Sequence, residues 1–124
     1  MKLVLVVFCL VFSMSVLADV NPAKVCSQTT TVCATYQSDV DFTTTQEGRF
    51  RLSLSEAKLL KVDLWMQMGQ HGHGSSPLKV TPVAPGEFDI TKAFFVMRGA
   101  WQIRVTYKLG SVEETLIIPV MIKK

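Results

Sequence analysis

Within eight residues, the run Met66-Gln67-Met68-Gly69-Gln70-His71-Gly72-His73 gathers two thioethers and two imidazoles. Soft thioether sulfur selects Cu(I), and imidazole suits copper in either oxidation state. Zinc is a poorer match, because it takes thiolate, imidazole and carboxylate, and the run has no carboxylate or free cysteine. Glycine would let the backbone turn sharply enough to bring these neighbours around one ion. His71 and His73 are the only two histidines of the chain. A plainer reading stands beside this one: Met66 and Met68 share a strand face with Val62 and Leu64, where methionine serves as a flexible apolar filler. Met97 is a further thioether candidate, and its neighbours Phe94, Phe95 and Val96 make a core role equally good.

The elements that must position these groups read as strands. Arg49 to Ser55 alternates strictly, with Phe50, Leu52 and Leu54 on one face. Leu60 to Met68 alternates in the same way, placing Leu60, Val62, Leu64, Met66 and Met68 together and Trp65 on the opposite face as a surface aromatic. A loop is expected from Gly69 to Pro77, and strands over Leu78–Val83, Glu87–Thr91 and Ala93–Met97, the last two separated by Lys92. Trp101 to Tyr107 alternates with Trp101 in the core. A turn at Leu109-Gly110-Ser111 leads into Thr115–Ile122, whose Pro119 marks an edge strand or bulge. About seven short strands with turn residues between them predict an all-β fold, an immunoglobulin-like antiparallel β-sandwich. A brief helical turn is expected only between Leu54 and Leu60.

Residues 1–18 read as a signal peptide, with Lys2 as the positive region, an apolar run from Leu3, and cleavage after Ala18. The apolar run is about 15 residues, short of the roughly 20 that span a bilayer, which disfavours a membrane anchor. Export to the periplasm is the expectation. Removing Lys2 from the 13 basic residues leaves 12 against 10 acidic ones, a net charge of +2, too weak and dispersed to indicate nucleic acid. Cys9 leaves with the leader, and Cys26 and Cys33 remain as a pair that an oxidising compartment would join in a disulfide. That pair would pin an arm or edge hairpin over residues 19–46, ahead of a sandwich domain over 47–124.

The segments Asp63-Leu64-Trp65-Met66, His71-Gly72-His73-Gly74, Pro77, Pro85-Gly86 and Met97-Arg98-Gly99-Ala100-Trp101 resemble the YtkA-like and FixH-like proteins. These are exported or membrane-anchored bacterial β-sandwich domains associated with copper handling and cytochrome oxidase maturation. The resemblance runs from Arg49 to Ile122 and implies Met66, His71, His73 and Met97 as metal ligands, with Met68 added on chemistry alone. The implied partners are copper and a membrane oxidase, its assembly factors or a copper exporter.

Catalysis finds little support. The chain has no Gly-x-Ser-x-Gly elbow, and Glu113-Glu114 reads as a solvated turn. The expectation is a binding protein and not an enzyme. It is either a periplasmic copper module that buffers or delivers the metal, or an envelope interaction domain in which the Met/His run is incidental.

Overall fold

The computed structural model describes residues 23–68 and 70–124, and the expected signal peptide lies outside them. Among the described residues there are nine strands and no helix: β1 (Ala23–Cys26), β2 (Cys33–Gln37), β3 (Gly48–Leu54), β4 (Lys58–Met68), β5 (His71–Gly74), β6 (Lys79–Ala84), β7 (Glu87–Ala93), β8 (Gly99–Leu109) and β9 (Val112–Ile122). They form two antiparallel sheets, β1-β2-β3-β7-β6 and β5-β4-β8-β9, which is the all-β sandwich that the alternation implied. The inward positions of both sheets make one core, including Leu52, Leu54 and Ile90 from one sheet and Leu64, Trp101, Ile103, Tyr107 and Ile118 from the other, with Phe95 added from the connection between β7 and β8. Each such side chain stabilises the fold by about 1.5–3 kcal/mol relative to exposure. No polar or charged side chain is buried among the described residues, tyrosine apart.

Four expectations need correction. The stretch from Gly69 to Pro77 is not all loop, because His71–Gly74 pairs with β4 as a strand. Ala93–Met97 is not a strand. β7 runs unbroken through Lys92 to Ala93, and there its partner β3 ends, since Gly48 lies opposite Ala93. Phe94 to Met97 keep an alternating burial, with Phe95 inside, but no neighbouring strand completes a ladder. Leu60 is exposed, because a bulge between Leu59 and Lys61 turns Leu59 toward the core in its place. The chain between β3 and β4 makes no helical turn, and Glu56 reverses it with a φ of 57°.

β1 and β2 form a hairpin closed by the Cys26–Cys33 disulfide, whose Cα atoms are 4.0 Å apart. The hairpin joins β3 and gives Val32 and Ala34 to the core. Its loop is tied to the other sheet through Glu114. That carboxylate accepts hydrogen bonds from the Tyr107 hydroxyl, from Ser27 Oγ at 2.8 Å and from Thr29 Oγ1 at 3.3 Å. Ser27 Oγ in turn accepts the backbone N–H groups of Thr29 and Thr30. The Tyr107 bond, then that of Ser27, holds the Glu114 carboxyl below its ordinary pKa. At the opposite end of the sandwich a chain of ring contacts, Tyr36–Phe42–Phe95–Trp101, closes the core.

Candidate metal centre on the β4–β5 hairpin

β4 and β5 fold back on each other so that Met68 lies opposite His71, Gln67 opposite Gly72, Met66 opposite His73 and Trp65 opposite Gly74. Residues directly opposite in an antiparallel pair belong to one face of the sheet. Positions 66, 68 and 71 therefore share the face turned toward the core, positions 65, 67, 72 and 74 share the outer face, and His73 holds the register place opposite Met66. The two methionines and two histidines of the sequence motif are thus brought together as two cross-strand pairs.

From Met66 through Met68 to His71 the positions run from the core to the rim. Met66 is 9% exposed, Met68 is 42% exposed, and His71 is exposed. On its other side Met66 lies opposite Trp101 of β8. Its methyl carbon packs so close to Gly99 that a Cβ there would lie 2.6 Å away, and Gly99 also has a φ of 131°. Met97 comes from the connection between β7 and β8 and is partly buried against the core. Its carbonyl accepts the Trp101 indole N–H at 2.8 Å, which ties the Met97 segment to the residue facing Met66. The floor beneath the hairpin is therefore aromatic and apolar, built from Met66, Trp101 and Met97.

Glycine works here by a different route from the expected sharp turn. The Trp65 indole lies across the outer face directly over Gly72, where an added Cβ would be 2.0 Å from Cζ2 and 2.4 Å from Cε2. Gly74 lies at ordinary distance from the same ring, 3.9 Å. The indole is held from both sides. Its Nε1–H donates to Gln67 Oε1 at 3.1 Å, and the Arg104 guanidinium carbon sits 4.6 Å from the ring centroid. Sequence reasoning put Trp65 on the correct face but missed that His-Gly-His-Gly is an alternation in which the small residues face the indole. Two residues separating Met68 from His71, with an alternating strand before them, are the hairpin signal that could have revealed it.

The donor set fits a soft ion better than zinc. Among the described residues no three His, Cys, Asp or Glu side chains gather into a metal-binding group. The cysteines are engaged with each other and lie at the far end of the sandwich. The loop they close meets β8 at Tyr107, whereas the hairpin meets it at Trp101, about 20 Å away at strand spacing.

A family model described as YtkA-like matches residues 27–106, more than half of the chain and all of the β4–β5 hairpin and Met97. No curated protein and no solved structure matches the chain. Among the described residues no helix is long and apolar enough to cross a membrane.

Proposed function

The chain belongs to the YtkA-like family, and from that premise we propose that it is a periplasmic copper-binding protein that buffers or delivers the metal to a membrane oxidase, its assembly factors or a copper exporter. The observation that carries the reading is the register of a rim hairpin that sets Met66 opposite His73 and Met68 opposite His71. Thioether and imidazole together favour Cu(I), with Cu(II) accessible through the histidines. Met66 would anchor the ion from the apolar side, Met68 and His71 from the open side, and Met97 is a further thioether on the neighbouring connection. A half-open site suits a protein that hands its ion on, because an acceptor can reach it without the sandwich unfolding.

The test is an anaerobic Cu(I) titration of Asp19–Lys124 against a chromophoric chelator, repeated with His71→Ala/His73→Ala. One equivalent held by the wild type and lost in the double variant supports the module. Equal affinity in both removes the histidines as ligands. A second reading is an envelope interaction domain with no metal role, which exposed Phe94 and Val96 favour. Absence of any competition for Cu(I) would select it.

A further inference from the structure

We propose that Trp65 is the positioning residue of the Met/His hairpin: its indole seats on Gly72 and fixes the register that sets His71 opposite Met68 and His73 opposite Met66. The consequence for copper rests on the reading above, whereas the clamp itself does not.

β5 has little else to hold it. It is a four-residue edge strand, two of its residues are glycine, and it pairs on one side only. Glycine weakens a strand through backbone entropy and the lack of a side chain to pack. Glycine-rich strands also specify their register poorly, and a slip of one residue carries every side chain to the opposite face. Here such a slip would bring a histidine to the place of Gly72. The indole leaves no room for even a Cβ there, since the nearest ring carbon is 2.0 Å from it. The ring cannot easily move aside, being held by Gln67 and by Arg104 of the neighbouring strand β8. One outer-face aromatic thus excludes the wrong register and stacks on the right one. Trp65 lies on the outer face and is not part of the buried core, so its loss should loosen β5 without unfolding the sandwich.

The experiment uses the full secreted chain as wild type, Trp65→Ala, Gly72→Ala and the double variant. Amide hydrogen exchange is read at residues 71–74 and at Ile103 and Val105 of β8, beside Cu(I) competition. In Trp65→Ala, exchange in β5 should speed by at least about tenfold while the centre of β8 stays protected. Cu(I) affinity should fall by about 10–100-fold, as when a supporting partner of a ligand is removed. Gly72→Ala should loosen β5 only while Trp65 is present, so the double variant should be no worse than Trp65→Ala. Unchanged protection of β5 in Trp65→Ala, or equal harm from Gly72→Ala with and without Trp65, would overturn the clamp. Should Trp65→Ala not fold, Arg104→Gln carries the same test, with a smaller loosening expected and none overturning it. A wild type that takes up no Cu(I) would end the copper reading, and the clamp would then stand or fall on exchange alone.

Discussion

Met66 and Met68 are two residues apart on one strand face, yet they should answer to truncation very differently. Met66→Ala removes about three side-chain groups from a position 9% exposed, a transfer loss of roughly 2–2.5 kcal/mol at about 0.8 kcal/mol per buried methylene. The cavity adds to this, but the site lies at the rim against Gly99 and can partly collapse. We therefore expect about 2.5–3 kcal/mol, near the low end for methionine-to-alanine changes. Met68→Ala, at a position 42% exposed, should cost about 1 kcal/mol by the same transfer scale. In a domain of this size, thermal midpoints should fall by about 10–20 °C and 4–8 °C respectively. The assay is urea and thermal unfolding of the metal-free protein with its disulfide intact. Leucine at either position keeps the volume and should cost under about 1.5 kcal/mol, so a loss of Cu(I) affinity in the leucine variants would report ligation and not packing. Equal losses from the two alanine variants, or a loss below about 1 kcal/mol for Met66→Ala, would refute the core-to-rim gradient on which the site is built.

Two further outcomes concern the far end of the sandwich. Replacing Cys26 and Cys33 by serine should destabilise the fold by about 2–3 kcal/mol, from loop-closure entropy, and leave Cu(I) affinity unchanged. Urea unfolding and chelator competition on one preparation check both halves. The Glu114 carboxyl is held below its ordinary pKa of 4.5, first by Tyr107 and then by Ser27. A depressed carboxyl pKa stabilises the fold above the unfolded value and loses that contribution as pH falls through the folded one. Wild type should thus lose stability below about pH 4.5 more steeply than Glu114→Gln, as pH-dependent denaturant midpoints would reveal.

The strands that carry one apolar face were legible because burial imposes a period of two: Phe50, Leu52 and Leu54, or Trp101, Ile103, Val105 and Tyr107. What local pattern could not reveal depended on partners distant in sequence. Phe94 to Met97 alternate like a strand, but β3 ends opposite Ala93, so no ladder forms. Leu60 belongs to an alternating run, and a bulge reverses its direction. Glu114 read as a solvated turn residue because two of its three partners, Ser27 and Thr29, lie more than eighty positions away. The donor types of the candidate site were legible as chemistry. Their pairing depended on recognising β5, whose glycines look like a loop until the Trp65 indole that needs them is in view.

The four outer strands of the sandwich have one more property in common. β1 and β5 are four residues long, β6 carries Pro82 and β9 carries Pro119. An exposed strand edge is a template for another chain, and short edges or prolines are the means by which sheets avoid pairing with their neighbours. The strand that carries the two candidate-site histidines is itself one of these blunted edges. Its brevity, which leaves it dependent on a tryptophan clamp, also denies a second molecule the length of backbone from which an aggregate could grow.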